Sequence, residues 1–97
     1  MERDHVIEIL RTHEAELHRA GVARLYLFGS VARSDATLDS DVDLFFDTDN
    51  PVFSLIELVD VQEQVSDILG TETDVMTRAS LHPMLRPQIE AEALRVF

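Results

Sequence analysis

The stretch LFGSVARSDATLDSDVDLFF, residues 27–46, carries the most informative pattern in this 97-residue chain. An apolar run ends at a Gly-Ser pair, ten residues follow, and a D-x-D triplet then leads into a second apolar run. Short apolar runs bounded by Gly and Asp are typical of buried strands. The stretch therefore predicts two strands, over 24–28 and 41–47, joined by a strongly acidic bend.

Helical periodicity surrounds this pair of strands. Val6, Leu10 and Leu17 recur at helical spacing ahead of it, and after it Ser54 and Glu57 form an S-x-x-E capping box that starts a second long helix. The predicted order is a helix over 3–20, a strand over 24–28, a short helix over 30–36, a strand over 41–47, a helix over 54–69, a strand over 72–77 and a last helix over about 81–94.

This alternation predicts an α/β (α+β) fold in which a small mixed β-sheet is packed with helices. A chain of 97 residues is long enough for one modest core. We therefore expect a single domain over 1–97. The helix over 54–69 has more apolar positions than one core-facing stripe needs, which is typical of a well-buried helix or of an interface with another subunit.

The composition excludes several classes of function. Nineteen acidic residues stand against eight basic ones, all of them Arg, so the net charge is −11. Such a surface argues against direct binding of nucleic acid and fits a basic protein partner or a site that collects metal cations. The chain has no Cys, no apolar run long enough to span a membrane and a charged N-terminus unlike a secretory signal. We expect no membrane association and a cytoplasmic location.

The acidic bend predicts a metal site. Residues two apart in a strand point to the same side, so Asp41 and Asp43 project from one face about 6.5–7 Å apart. Two carboxylates so placed repel each other unless a cation lies between them. Their hard oxygen ligands suit Mg²⁺ or Mn²⁺.

The Gly-Ser pair adds an anion site to the same bend. Gly29 and Ser30 lie where a strand gives way to a short helix, so that backbone N–H groups point outward. Glycine lets an anion approach the backbone closely, and the serine hydroxyl is a further donor. Phosphate donors beside metal carboxylates are what a nucleoside triphosphate with its metal requires.

The pattern Gly29-Ser30, ten residues, Asp41-Val42-Asp43 resembles the signature of the DNA polymerase β-like nucleotidyltransferases. The wider form FGSVARSDATLDSDVDL is similar to the minimal nucleotidyltransferases, the MNT antitoxins that are encoded beside HEPN-domain toxins. The resemblance covers most of the chain and is specific in the motif. It departs from the family at Ser34, in the turn after the short helix, where a glycine is common.

The resemblance implies transfer of AMP from ATP to a hydroxyl group of a partner protein, with two Mg²⁺ ions as cofactors and Mn²⁺ as a possible substitute. Asp41 and Asp43 would bind both metals, and Gly29 and Ser30 would hold the triphosphate. A third carboxylate would come from the next strand. Asp74 in T-D-V-M-T is the preferred candidate, and Glu72, two residues away on the same strand face, is the alternative.

Arg33 is the cation nearest in sequence to the phosphate-binding pair, and we expect it either to bind nucleotide or to form a surface ion pair with Asp35 or Asp39. The other aspartates of the bend and its exits, including Asp47, are expected to be turn and surface residues.

The implied partner is a HEPN-domain ribonuclease toxin, adenylylated on a Tyr, in a hetero-oligomer. The alternative is an antitoxin without catalytic activity that neutralises its partner by binding alone. Residues 39–50 also imitate a calcium loop, but Leu44 and Asn50 occupy the positions where an EF-hand needs Gly and Glu.

Overall fold

A four-stranded sheet forms the centre of the structure, a computed structural model that describes residues 2–35 and 41–97. The strands are β1 (Arg24–Phe28), β2 (Val42–Asp47), β3 (Thr73–Thr77) and β4 (Leu94–Arg95), in the order β3-β2-β1-β4. β1 is antiparallel to β2 and β4, whereas β2 is parallel to β3. The predicted α/β class with a mixed sheet is confirmed.

Five helices accompany the sheet in the described part of the chain, together with a 3₁₀ turn over Arg78–Ser80. They are α1 (Arg3–Thr12), α2 (Glu14–Arg19), α3 (Gly29–Ala32), α4 (Leu55–Leu69) and α5 (Arg86–Glu92). None of these helices combines the length and the apolar character needed to cross a lipid bilayer.

Alternation along the strands gives the sheet two different faces. One face carries the side chains that build the main core with α1, α2 and α4, such as Leu27 of β1, Leu44 of β2 and Val75 of β3. The opposite face carries Tyr26 and Phe45, whose rings stack with centroids 4.9 Å apart, and the acidic residues of β2 and β3. The candidate site residues of the strands therefore lie on the face away from the main core.

The helix predicted over 3–20 is wrong as a single element, because it is interrupted at His13. The Thr12 hydroxyl donates to the Ile9 carbonyl oxygen at 2.7 Å, and the His13 ring lies 2.9 Å from the same oxygen. Side chains that compete for a helix carbonyl favour a local break. The predicted core positions Val6, Leu10 and Leu17 are nevertheless buried.

The second long helix begins and ends as predicted. The Ser54 side chain accepts a hydrogen bond from the Glu57 backbone N–H at 3.4 Å, which confirms Ser54 as the N-cap, and the Ser54 hydroxyl donates to the Glu57 carboxylate at 3.4 Å. α4 ends at Gly70, whose φ of 68° is the left-handed conformation common after a helix.

The last predicted helix, over 81–94, is wrong at both ends. Pro87 has no N–H to donate to a preceding turn, so α5 begins only at Arg86 and holds this proline in its first turn. After Ala93 the chain becomes extended and forms β4 on the free edge of β1. There Val96 donates a backbone hydrogen bond to Leu25 at 2.8 Å, so the C-terminus completes the sheet.

The surface turn position predicted for Asp47 is also wrong. It ends β2, its side chain is only 17% exposed, and it accepts two hydrogen bonds from Arg78, at 2.7 and 3.0 Å. Arg24 donates a third at 3.1 Å. The Arg78 guanidinium lies over the rings of Tyr26 and Phe45 and also binds Glu90 of α5. Arg78 thus joins α5 to the second face of the sheet.

We predict that Asp47→Asn lowers the free energy of unfolding at pH 7 by about 2 kcal/mol, since charged hydrogen bonds to Arg78 are lost. The Arg78 hydrogen bonds, with help from Arg24 and against the effect of burial, hold the pKa of Asp47 below its usual range. A carboxyl with a lowered folded-state pKa stabilises the fold above its unfolded-state pKa, and this contribution disappears as the pH falls through the folded-state value. Urea unfolding at pH 7 and at about pH 3 measures both quantities. A difference between wild type and variant that is the same at both pH values would contradict the assignment.

Candidate active site

Gly29 lies directly against the carboxylate of Asp43. Phe28 pairs with Asp43 across β1 and β2, and the chain turns immediately afterwards at Gly29, which has a φ of 77°. A Cβ atom at Gly29 would collide with Asp43 Oδ2 and would lie 3.1 Å from its Cγ. Both the backbone conformation and the missing side chain are therefore required at this position.

Asp43 and Asp74 are register partners on the parallel strands β2 and β3. Neighbouring strands lie about 4.8 Å apart, so the two carboxylates start from adjacent points on one face. Asp41 immediately precedes β2. Partial burial raises the pKa of Asp43, the charges of Asp74 and Asp41 raise it further, and Arg33 opposes the effect. The strands thus hold three negative charges together at an electrostatic cost.

This donor set fits a divalent cation of the hard kind. It consists of carboxylate oxygens only, and their mutual repulsion is what a cation between them would relieve. In this conformation no three acidic or histidine side chains within residues 2–35 and 41–97 already converge on one point. Holding an ion jointly would therefore require rotation of the carboxylate side chains on their fixed strands.

Glu72, the alternative third carboxylate, precedes β3 by one residue. Its carbonyl oxygen accepts a hydrogen bond from the Val42 backbone N–H at 3.4 Å, and its side chain is exposed. Asp74 lies inside the strand and beside Asp43. The structure places both residues at the same end of the sheet, with Asp74 adjacent to the acidic pair.

The turn after Ser30 takes the form of a short helix with a left-handed end. α3 spans Gly29–Ala32, the Asp35 N–H donates to the Ser30 carbonyl at 3.0 Å, and Ser34 has a φ of 62°. Ser34 lies at the position where the minimal nucleotidyltransferases commonly have Gly. The conformation that suits glycine is therefore present at Ser34 although the residue is different.

Arg33 lies at the end of α3, and its side chain is about half exposed. It binds Asp35 at 3.3 Å, as one alternative predicted, and it also approaches Glu92 of α5 to 3.5 Å. A groove between α3 and α5 opens beside this pair and is lined by Phe28 and Ile89, among others. The sequence pattern missed Glu92, because a residue nearly sixty positions away gives no local signal.

The remaining acidic residues of the bend differ in their surroundings. Asp35 forms its surface ion pair with Arg33, with 60% of its side chain exposed, and Asp49 is also exposed. The surface role predicted for Asp35 is confirmed. Asp39, also predicted as a surface residue, lies outside the described residues.

We predict that Gly29→Ala is more damaging than Gly70→Ala, although both glycines have similar positive φ values of 77° and 68°. A Cβ at Gly70 would meet nothing within 4 Å, so that variant reports the backbone strain alone, about 1 kcal/mol. Gly29→Ala adds the collision with Asp43 and should cost about 3 kcal/mol in total. Urea unfolding measures both losses.

The double variant Gly29→Ala/Asp43→Ala provides the control for this comparison. Removal of the carboxylate should take away most of the added cost of the Gly29 substitution, as a coupling between contacting residues requires, and should leave only the contact with the Asp43 Cβ at 3.2 Å. Equal losses for the two single variants would show that the contact between Gly29 and Asp43 has no energetic weight.

Comparison with known families and relatives shows which proteins this chain resembles. The profile of a family described as a nucleotidyltransferase domain matches residues 6–96. A relative from Methanocaldococcus jannaschii that is named as a protein adenylyltransferase is 35% identical over 91 residues, covering 92% of each chain. The protein adenylyltransferase MntA of Thermococcus cleftensis is 31% identical and covers 96% of this chain and 94% of its own.

Solved structures show the same fold. A structure described as a minimal nucleotidyltransferase superposes with a TM-score of 0.81 at 30% identity, over 97% of this chain and 95% of its own. A toxin–antitoxin structure with AMP-PNP superposes with a TM-score of 0.72 at 18% identity, over 90% of this chain and 72% of that one. An AMPylated HEPN toxin of Shewanella oneidensis in complex with its MNT antitoxin gives a TM-score of 0.60 at 15% identity, over 89% and 70% of the two chains.

Proposed function

The chain belongs to the nucleotidyltransferase domain family, and from that premise we propose that it transfers AMP from ATP to a hydroxyl group of a partner protein. The partner is a HEPN-type ribonuclease toxin and the acceptor a Tyr side chain, so that the chain acts as an antitoxin. The reaction depends on Mg²⁺ and takes place in the cytoplasm, where ATP is available.

The observation that carries this proposal is the position of Asp43. It lies between Gly29, which must lack a side chain to approach it, and Asp74, its partner in the adjacent strand. The Asp43 carboxylate therefore contacts the Gly-Ser turn and is also part of the acidic cluster. A reaction between a triphosphate and a hydroxyl requires this proximity of phosphate donors and metal ligands.

Each residue has a distinct role in this scheme. Asp41, Asp43 and Asp74 would hold two Mg²⁺ ions, which when bound lower the pKa of an attacking hydroxyl and neutralise charge on the phosphates. The backbone N–H groups of Gly29 and Ser30 bind the triphosphate. Asp74 is preferred to Glu72 because its charge already acts on Asp43.

Arg33 supplies positive charge beside the acidic cluster, since its charge lowers the pKa of Asp43. Its two ion pairs, with Asp35 and Glu92, are exposed and weak enough to exchange for a phosphate oxygen. We infer that Arg33 binds the triphosphate after giving up one of these partners.

The relatives and the solved structures support the choice of acceptor. Relatives covering more than nine-tenths of this chain are named protein adenylyltransferases. Structures of the same fold contain a HEPN toxin with its MNT antitoxin, and one such toxin is AMPylated. A hetero-oligomer with a basic partner also suits the net charge of −11.

We predict that ATP labelled at the α-phosphate labels the HEPN-domain protein encoded beside this chain when Mg²⁺ is present. Asp41→Asn and Asp43→Asn should each reduce the labelling rate about a hundredfold or more, because each removes a metal ligand. Asp49→Asn, an exposed aspartate two residues after β2, is the matched control and should leave the rate unchanged.

Asp74→Asn and Glu72→Gln distinguish the two candidates for the third carboxylate, and only the Asp74 variant should lose activity. Equal labelling by wild type and by Asp43→Asn would show that the mechanism is wrong. If wild type gives no labelling but still blocks the ribonuclease stoichiometrically, the chain neutralises its partner by binding alone.

The metal ligands can also be tested without measuring activity. We predict that saturating Mg²⁺ raises the free energy of unfolding of wild type by about 2 kcal/mol, through binding to the folded state only. Asp43→Asn should be more stable than wild type in EDTA, since it relieves the repulsion around Asp43, and should gain little from Mg²⁺. Denaturant titrations with Mg²⁺ or EDTA give both values, and an equal Mg²⁺ effect in both proteins would exclude Asp43 as a ligand.

A further inference from the structure

An exposed group of apolar side chains covers the beginning of α4. It consists of Val52 in the turn before the helix and of Leu55, Ile56 and Val59 on its first turns, here called the α4 apolar patch. The exposed fractions are 75%, 74%, 76% and 46%, respectively. Exposed Leu and Ile side chains grouped on one element are typical of a protein interface.

The α4 apolar patch does not contribute to the core. The inward face of α4 is formed by Val61, Val65 and Leu69, which are buried against the sheet, with Leu58 packed at their edge. Burial of this face is sufficient to hold α4 against the sheet. The patch residues are therefore apolar for a reason other than the stability of the isolated fold.

A groove continues from the α4 apolar patch along the same helix. Gln62, Glu63 and Ser66 follow Val59 by three, four and seven residues and so lie along one side of α4, and these residues line the groove together with Val59 and Asp67. The Ser66 and Thr73 hydroxyls are hydrogen bonded at 2.6 Å. The groove thus leads from the patch to the beginning of β3, where Thr73 is buried on the side of α4 and Asp74 projects from the opposite face of the sheet.

The charge of α4 determines which partner suits this surface. The helix LIELVDVQEQVSDIL contains Glu57, Asp60, Glu63 and Asp67 and no basic residue. Asp67 in the last turn also opposes the helix dipole, a cost that the fold itself does not explain. A second copy of this chain would bring two sets of like charges together, which disfavours self-association through this face.

We propose that the α4 apolar patch and its acidic groove dock the protein that receives AMP, through a helix whose apolar side chains are flanked by Arg and Lys. The inference rests on the proposed function and extends it by naming the surface that holds the partner. Apolar side chains of the partner cover the patch, and its basic side chains enter the groove. Because β3 is the edge strand of the sheet, a partner that extends past Thr73 around this edge reaches Asp74 on the opposite face.

Ile56→Ser tests the apolar contact, with Met84→Ser as the matched control. Both side chains are strongly exposed, at 76% and 84%, so neither change should disturb folding, and urea midpoints check this. Isothermal titration of the HEPN-domain protein encoded beside this chain should show a Kd about tenfold weaker for Ile56→Ser. Met84→Ser should bind like wild type.

Glu63→Gln tests the charge of the groove, with Glu16→Gln on the exposed side of α2 as its control. Stopped-flow mixing should show a slower association rate for Glu63→Gln, and the difference should shrink as salt screens the charges. Glu16→Gln should associate like wild type at every salt concentration.

Three results would overturn the docking surface. They are an unchanged Kd for Ile56→Ser, no binding of the HEPN-domain protein by wild type, or a wild-type dimer in sedimentation that Ile56→Ser converts to monomer. AMP transfer separates this inference from the proposed function. If binding depends on the patch but no AMP is transferred, the proposed function is wrong and the docking surface is supported. If AMP is transferred but Ile56→Ser binds with the Kd of wild type, the proposed function is supported and the docking surface is wrong.

Discussion

The contact between the Gly29 backbone and the Asp43 carboxylate is the constraint on which the site depends. It exists because β1 and β2 pair in the register that sets Phe28 opposite Asp43, so that the turn after β1 falls on that carboxylate. A shift of one residue would exchange the two faces of β2, burying Asp43 and exposing Leu44. The hydrophobic core therefore fixes the register, and the register fixes the site.

Two aspartates of β2 show how strongly the neighbouring residues decide the role of a carboxylate. Asp43 and Asp47 lie on the same strand and the same face, four residues apart. Arg78 and Arg24 lower the pKa of Asp47, whereas burial and the charges of Asp74 and Asp41 raise the pKa of Asp43. Asp47 therefore stabilises the fold, while Asp43 is held at a cost that a bound cation would remove.

The two faces of the sheet carry residues with different roles. Leu27, Leu44 and Val75 join α1 and α4 in the main core. On the other face the stacked rings of Tyr26 and Phe45 support Arg78, which holds α5 in place through Glu90. α5 in turn supplies Glu92, the residue that approaches Arg33 beside the site. The C-terminal segment thus contacts Arg33 beside the candidate site although it contains none of the motif residues.

The sequence by itself determined the features that depend on local order. Short apolar runs bounded by Gly and Asp predicted β1 and β2, and the S-x-x-E box predicted the start of α4. The spacing from Gly29 to Asp43 identified the candidate site. These signals act over a few residues. Only the tertiary structure decided the short β4 and the ion pairs of Arg78 with Asp47 and Glu90. Those features join residues distant in the chain, and they form because the free edge of β1 needs a hydrogen-bonding partner and a partly buried guanidinium needs carboxylates.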